Sequence, residues 1–329
     1  MRILVIGCGS IGQRHIKNLV FLKAGEILAF DIDRKKLEEV KDISPLIKVA
    51  NNLRKLWEEN PETVFITVPT ALHTEYAIEA AKRGCHLFIE KPLSHNMRRL
   101  DELIKIAKNK KLVTFVGYSF RFNNCLVKMK ELLENKAIGK IIAGRFHFGS
   151  YLPERHPWED YRFGYGAKKS LGGGVILDVI SHNLDSLIFL LGKPKEVFCY
   201  SSKKSDLCID VEDISEVMMK FCGGEIISLH GNFFQRPYEH TFELIGDQGT
   251  IFCDFVKKIL RSYNIEEKNW VTYHGARDLN TVYIKEVKYF IKCIEKKMLP
   301  PVDVARGKEE LEILMKIKQA TFKQGWLKI

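Results

Sequence analysis

The N-terminal part of the chain alternates short apolar runs with stretches of helical periodicity. Runs rich in Val, Ile, Leu and Phe predict strands at residues 3–6, 27–30, 64–68, 86–90 and 112–118. Strands that alternate with helical patterns indicate βαβ units and a parallel sheet with helices on both faces. We therefore predict a doubly wound α/β domain over residues 1–120 of the 329-residue chain.

The pattern changes after about residue 138, where apolar and polar positions alternate with a period of two. This alternation predicts strands at residues 141–151, 196–201, 215–221, 225–234, 241–246 and 250–255. Two helical patterns follow, at about 281–297 and 303–323, with Pro300 and Pro301 between them. We predict a second α/β domain, residues 121–329, built on a large, mainly antiparallel sheet. Its C-terminal helices could pack back on the first domain.

Composition narrows the class of protein. Hydrophobic residues make up 46% and charged residues 28%, as in soluble globular proteins. Apolar runs such as Leu187–Leu191 are shorter than the ~20 residues of a membrane span, so we expect none. The first apolar run, Ile3–Ile6, is shorter than the ~7 to 15 residues of a signal-peptide core, which predicts a cytoplasmic protein. Eight scattered cysteines without a C-x-x-C pair indicate reduced core residues and no metal site.

The net charge is +11, from 52 Lys plus Arg against 41 Asp plus Glu. The basic residues are dispersed and no nucleic-acid motif accompanies them, so we expect no nucleic-acid partner. Two interpretations stay open, a solvated basic surface and an anionic substrate. The candidates for contact with an anion are Arg121, Arg155, His156, Arg162, Lys168 and Lys169.

A glycine-rich loop follows the first predicted strand. Gly7, Gly9 and Gly12 have G-x-G-x-x-G spacing, and a helical pattern starts near Ile11, directly after Ser10. The glycines permit a tight turn, close approach of a pyrophosphate and close helix packing, while the helix N-terminus favours negative charge. These five residues are candidates for binding a dinucleotide.

The second predicted strand ends at Asp31, at the distance from the loop where a carboxylate accepts a hydrogen bond from ribose. A carboxylate there would repel a 2′-phosphate, so Asp31 favours NAD over NADP. Arg34 could partly reverse this preference or be an exposed residue at the start of a helix.

Glu90, Lys91 and Pro92 follow the predicted strand 86–90, at the sheet edge where ligands bind. Lys91 is either an ordinary strand end or a cation aimed into the cleft. Further along, an apolar helical pattern carries Asp178 and His182 four residues apart, with Asp185 on the same ~60° stripe of an α-helix. Three interpretations compete: a structural network, a metal site without further ligands, and acid–base catalysis by His182.

Three motifs together resemble the Gfo/Idh/MocA oxidoreductases. They are IGCGSIG at the N-terminus, PTALHTEYAIEAAKRGCHLFIEKP from Pro69, and GGG-x-x-x-D-x-x-x-H-x-x-D from Gly172. The resemblance implies a Rossmann domain followed by an α/β domain that commonly forms homodimers or homotetramers through its sheet. Ile180 stands where the family usually has glycine, which affects local packing.

The resemblance also implies site residues. Lys91, Asp178 and His182 match the catalytic positions, and His73, with Pro69 and Glu90, matches the cofactor side. Tyr118 and Arg121 match the segment that enters the substrate domain. Tyr161 and Arg162, in HPWEDYR, are further candidates for binding substrate, in a segment similar to members that act on polysaccharide sugars.

The expected activity is hydride transfer between NAD and a secondary hydroxyl or ketone of a sugar, cyclic polyol or nucleotide-linked sugar. His182 would take the proton and Lys91 would stabilise the alkoxide. The alternatives are an NAD-dependent glycosidase of the same family and a non-catalytic protein that senses a dinucleotide or sugar.

Overall fold

A computed structural model of the chain describes residues 1–276, 278–323 and 325–329. The strands are β1 (Arg2–Ile6), β2 (Glu26–Phe30), β3 (Lys48–Ala50), β4 (Thr63–Ile66), β5 (His86–Glu90), β6 (Thr114–Gly117), β7 (Ile141–Tyr151), β8 (Glu196–Ser202), β9 (Ile214–Lys220), β10 (Ile226–Asn232), β11 (Phe234–Gly246), β12 (Gly249–Asp254), β13 (Ile259–Asn264), β14 (Asn269–His274) and β15 (Leu327–Lys328). The α-helices are α1 (Ser10–Phe21), α2 (Arg34–Ile43), α3 (Leu53–Trp57), α4 (His73–Lys82), α5 (Leu100–Asn109), α6 (Asn124–Glu134), α7 (Leu152–Arg155), α8 (Ser181–Leu191), α9 (Asn280–Lys296) and α10 (Val304–Ala320).

The N-terminal sheet is parallel and has the strand order β3-β2-β1-β4-β5-β6 among the described residues. The order reverses between β1 and β4, the topological switch point at which doubly wound sheets bind ligands. All five strands expected before residue 120 are present. The strand β3 was not predicted from the sequence, because its three residues carry no apolar run.

The second sheet has the order β14-β13-β12-β11-β7-β10-β9-β8-β15 in the ranges that the structure describes. Its pairs are antiparallel except for β7 with β10, which run parallel. The expected large, mainly antiparallel sheet is therefore confirmed. The strands β13, β14 and β15 were not predicted.

The chain divides into two compact units. One contains residues Met1–Ser119 and Asn280–Leu311, and the other contains Phe120–Leu279 and Glu312–Ile329. Aromatic packing explains why the segment from residue 280 groups with the N-terminal sheet. The Phe290 ring of α9 meets Phe65, Phe88 and Phe115 edge-on at centroid distances of 5.5 to 5.7 Å. Each such pair adds about 0.5 to 1.5 kcal/mol beyond area burial.

The helical stretch Lys169–Leu191 has 23 residues and is apolar enough to cross a membrane by length and composition. The apolar segment is therefore longer than the run Leu187–Leu191 on which the expectation of no membrane span was based. Within the molecule, 78% of its most apolar window is buried. Burial on this scale is typical of the core helix of a folded domain.

Candidate active site

The glycine-rich loop connects β1 to α1. Gly7 has φ +99°, and a Cβ on Gly12 would lie 2.0 Å from the Gly7 carbonyl oxygen. A Cβ on Gly9 would meet nothing within 4 Å, and Gly9 caps α1 without a side-chain hydrogen bond. The loop therefore leaves open space at a helix N-terminus, where backbone N–H groups favour an anion. Ser10 and Ile11 lie in the first turn of α1, which begins one residue before the predicted start near Ile11.

Asp31 lies directly after β2, with 8% of its surface exposed. Its Oδ2 accepts a hydrogen bond from Cys8 N at 2.7 Å, and its Oδ1 accepts one from Asp33 N at 2.9 Å. These bonds fix the carboxylate beside the glycine-rich loop. Arg34 is exposed as the first residue of α2. The loop and the carboxylate together fit the pyrophosphate and ribose of NAD.

Glu90 ends β5, and its Oε1 lies 2.7 Å from Nε2 of the fully buried His15 on α1. The second oxygen, Oε2, accepts a hydrogen bond from Lys91 N at 3.3 Å. Lys91 itself is half-buried and precedes Pro92 through a cis peptide bond. A buried carboxylate therefore ties helix α1 to the backbone of the predicted catalytic lysine.

His73 begins α4, four residues after Pro69, which precedes the short 3₁₀ turn Thr70–Leu72. Its Nδ1 lies 3.0 Å from Pro92 O and its Nε2 lies 2.9 Å from Val68 O. Burial lowers the pKa of His73, and the two carbonyl contacts raise it by less. A neutral imidazole has one N–H, so it donates to one of these carbonyls at a time. His73 thus connects the loop after β4 with the loop after β5.

Asp178 lies in a π-helical turn, Ile176–Ile180, that runs into α8. An uninterrupted α-helix was expected here from the sequence. The i→i+5 hydrogen bonding of the π-helical turn changes the angular spacing that would place Asp178, His182 and Asp185 on one stripe. The carboxylate is 3% exposed. It accepts hydrogen bonds from Arg155 Nη1 at 2.5 Å and from the Tyr165 hydroxyl. These two partners are side chains from α7 and from the segment that follows it.

The three glycines before the π-helical turn explain how Tyr165 reaches Asp178. Gly172 and Gly174 have φ values of +83° and +102°. A Cβ on Gly173 would lie 2.2 Å from Tyr165 O and 2.8 Å from Gly166 O. Only glycine therefore permits this approach of the two backbone segments, which Gly174 N also joins by donating to Gly166 O at 3.1 Å.

His182 is in the first turn of α8 and half-buried. Its ring lies 5.5 Å from Phe120, which also contacts the His240 ring at 5.1 Å. Burial and then the charge of His147 lower the pKa of His240 to about 3, so this second imidazole is neutral. The aromatic contacts limit how the Phe120 ring can move, and so they support the orientation of His182.

The remaining predicted residues have internal partners. Asp185 is fully buried and pairs with Arg121, whose Nη2 and Nε lie 2.7 and 2.8 Å from its Oδ1. Arg162 pairs with Asp160, and the Tyr161 hydroxyl accepts a hydrogen bond from Cys208 N at 3.2 Å. Tyr118 follows β6 and is 2% exposed. The roles of these residues in binding substrate stay predictions.

Several side-chain partnerships were not predicted from the sequence, among them His15 with Glu90 and Tyr165 with Asp178. Each joins residues from different elements, and a single sequence gives no signal for such a pairing beyond the residue types. In the part of the chain that the structure describes, no group of three or more His, Cys, Asp or Glu side chains could hold a metal ion. The metal interpretation of the Asp178 motif therefore has no further ligands in this range.

Comparisons with known proteins agree with this geometry. Residues 1–118 match the model of the oxidoreductase family with an NAD-binding Rossmann fold, and residues 126–252 match that of the GFO/IDH/MocA C-terminal domain. The chain is 30% identical over 322 residues to myo-inositol 2-dehydrogenase of Thermotoga maritima, which covers 94% of this chain and 93% of that protein. The chain belongs to the Gfo/Idh/MocA family. This confirms the predicted family, the oxidoreductase class and the NAD-binding fold.

Other relatives are more distant. The chain is 28% identical over 250 residues to 1,5-anhydro-D-fructose reductase of Ensifer adhaerens, covering 75% of this chain and 74% of that protein. The solved structure of levoglucosan dehydrogenase with NADH and levoglucosan has a TM-score of 0.88, at 20% identity, and covers 100% of this chain and 99% of that one. This likeness confirms the predicted fold class of this chain.

Proposed function

We propose that the protein is an NAD-dependent dehydrogenase that oxidises a secondary hydroxyl of a sugar or cyclic polyol, or reduces the corresponding ketone. Two observations support the proposal: in the first unit the Asp31 carboxylate is fixed at a dinucleotide loop, and in the second unit a buried Asp178 precedes His182 by four residues. Relatives named for inositol, levoglucosan and anhydrofructose support this substrate class.

Each catalytic side chain has a distinct task in the proposed reaction. When bound, NAD supplies the acceptor for hydride. His182, in the second unit, would accept the hydroxyl proton on its imidazole, and the Lys91 ammonium, in the first unit, would stabilise the negative charge of the alkoxide. Asp178 accepts hydrogen bonds and so holds the substrate in place. Gly7, Gly9, Gly12 and Asp31 would hold the cofactor.

The charges of the candidate site favour an uncharged substrate over the anionic one. Of the six basic residues singled out in the sequence, Arg121, Arg155 and Arg162 pair with carboxylates of their own unit. An ion pair has no net charge to attract an anion over a distance. For an uncharged substrate we expect a KM that does not change with ionic strength.

We also propose a cytoplasmic homo-oligomer, a dimer or tetramer, formed through the large sheet. Large apolar side chains lie exposed on neighbouring strands, namely Tyr200 on β8, Met218 on β9 and Ile226 on β10, at 48%, 40% and 42%. Exposed apolar patches on sheets favour association. Sedimentation of the wild type beside Met218→Glu tests this interface, since a buried charge should dissociate it.

The decisive experiment is a screen of sugars, polyols and nucleotide sugars for NADH formation. His182→Ala should lower turnover by ~10²-fold or more while NAD affinity stays nearly unchanged. Lys91→Ala should also lower turnover. Full activity of His182→Ala would contradict the proposed role. A protein that releases a sugar without net NADH would be a glycosidase, and one that binds sugar without turnover would be a sensor.

A further inference from the structure

Arg155 ends α7 and is held rigidly beside Asp178. Its guanidinium carbon lies 5.9 Å from the Phe148 ring centroid and 5.7 Å from that of Phe233. Its Nη1 donates to Asp178 Oδ2 at 2.5 Å. The side chain is 28% exposed, whereas that of Asp178 is 3% exposed. A cation that is fixed between two rings and still partly open can bind a ligand without a large loss of side-chain entropy.

The Arg155 guanidinium stays protonated in its pair with Asp178. Burial lowers the pKa of Arg155, but the negative charge of the neighbouring Asp178 raises it, and the net shift is upward. A guanidinium carries five N–H donors, and the contact with Asp178 engages Nη1. Donors therefore remain on Arg155 for a ligand at its exposed side.

The chemistry of the pair defines the ligand that it fits. One hydroxyl of a substrate can accept a hydrogen bond from Arg155 while the adjacent hydroxyl donates to Asp178. A carboxylate or phosphate would satisfy Arg155 but would lie against the Asp178 charge in a partly desolvated site. We propose that Arg155 binds substrate directly and, with Asp178, selects uncharged sugars or polyols with adjacent hydroxyls. This inference rests on the proposed dehydrogenase function.

Tyr165 has a different part in this arrangement. Its hydroxyl donates to Asp178 Oδ1, the oxygen that does not bind Arg155. It is therefore a positioning residue, which fixes the carboxylate so that Arg155 keeps its orientation. Tyr165→Phe should weaken binding of diols less than Arg155→Gln does, because the ion pair remains.

The experiment compares three substrates on the full-length protein with saturating NAD. They are a cyclic polyol that the wild type oxidises, its deoxy analogue lacking one hydroxyl adjacent to the reacting carbon, and the corresponding sugar acid. The wild type should have a higher kcat/KM for the polyol than for the deoxy analogue or the sugar acid. Arg155→Gln should raise KM for the polyol by ~10-fold or more and should reduce the preference over the deoxy analogue by a similar factor, with NAD affinity unchanged.

Arg236→Gln is the matched control, since Arg236 is exposed and pairs with Glu154, the residue that precedes Arg155. It should leave both KM values unchanged. If Arg155→Gln lowers activity on the polyol and the deoxy analogue by the same factor, Arg155 acts only through the fold and the proposal fails. Preference of the wild type for the sugar acid would also overturn it, without contradicting dehydrogenase activity. A wild type that forms no NADH with any screened sugar overturns the proposed function and this assignment together.

Discussion

His15 on α1 and Glu90 at the end of β5 form a hydrogen-bonded pair, with Nε2 and Oε1 2.7 Å apart. The His15 ring also packs edge-on against Phe88, at a centroid distance of 4.9 Å. Since Glu90 precedes Lys91 in the chain and accepts its backbone N–H, the pair connects the dinucleotide loop helix with the proposed catalytic lysine. A buried carboxylate needs such a donor, because its desolvation would otherwise oppose folding.

Replacement of His15 by alanine should therefore destabilise the protein by about 1 to 3 kcal/mol, the usual cost of leaving a buried polar group without a partner. His15→Gln retains an N–H donor and should recover part of this loss. Urea unfolding of the two variants measures the effect. A His15→Ala protein as stable as the wild type would show that water replaces the imidazole without cost.

The preference for NAD over NADP should depend on Asp31. We expect NAD to bind at least ~10-fold tighter, equivalent to ~1.4 kcal/mol, and Asp31→Ser to narrow this difference. Asp33→Ser is the matched control, because it removes the same charge two residues away, where Asp33 instead accepts a hydrogen bond from Lys35 N. Fluorescence titration with NADH and NADPH measures both affinities. Equal affinities in the wild type would contradict the role of Asp31.

The periodicity of the sequence predicted the elements whose burial is regular. The strand β7 was predicted with its observed bounds, 141–151, because its apolar residues alternate over a long run. In contrast, β14 has mostly exposed residues and offers no such pattern. Contacts between side chains of different helices and strands could not be predicted from periodicity. The pairing of Tyr165 with Asp178 depends on the close approach at Gly173, which appears only once the backbone is folded.

Helix ends offer a test of stability away from the site. Among the described residues, four helices are followed by a lysine in the left-handed region, namely Lys23, Lys111, Lys136 and Lys297, with φ of 50° to 55°. Each replaces the glycine that usually occupies this position of a Schellman motif. Lysine there is strained by roughly 1 to 2 kcal/mol, partly offset by the greater freedom of glycine in the unfolded chain.

Each Lys→Gly substitution at these positions should therefore raise the free energy of unfolding by about 0.5 to 1 kcal/mol, and the four should add because the sites are separate. The reverse change, Gly84→Lys, is the control. Gly84 follows α4 with φ +86°, and a Cβ there would meet nothing within 4 Å, so only backbone strain is added. Loss of stability on Lys23→Gly would count against this explanation.

Stability should fall in acid because of His240. This imidazole is 2% exposed, and burial, with the charge of His147, lowers its pKa from 6.5 to about 3. Below pH 6.5 the unfolded chain takes up a proton that the folded protein does not, until the pH approaches 3. The free energy of unfolding therefore decreases as the pH falls through this range, by ~1.4 kcal/mol per pH unit from this group.

In His240→Phe, whose new ring would join Phe120, Phe146 and Phe255, this contribution to the pH dependence should be absent. The slope of unfolding free energy between pH 5 and 6 should be smaller than in wild type by about 1.4 kcal/mol per unit. A control substitution of the exposed His274 should leave the slope unchanged. Identical slopes for wild type and His240→Phe would mean that His240 titrates alike in the folded and unfolded states.

Gly173 should be essential to activity although it carries no side chain. A Cβ there would lie 2.2 Å from Tyr165 O, a contact that real structures do not contain, so the Tyr165 segment must move away from Asp178. Gly173→Ala should therefore lower kcat/KM for the substrate, because the hydroxyl that fixes Asp178 shifts, while NADH affinity should stay near that of wild type.

Gly166→Ala provides the matched comparison. A Cβ on Gly166 would lie 3.6 Å from Leu152 and 3.8 Å from Asp178 Oδ2, both ordinary van der Waals contacts, so the backbone can stay in place. Steady-state kinetics and NADH titration of the two variants separate the effect of backbone displacement from that of an added methyl group. If Gly173→Ala and Gly166→Ala lose the same activity, the effect comes from crowding near Asp178. If only Gly173→Ala loses activity, the position of the Tyr165 backbone determines how the Asp178 carboxylate is oriented toward the substrate.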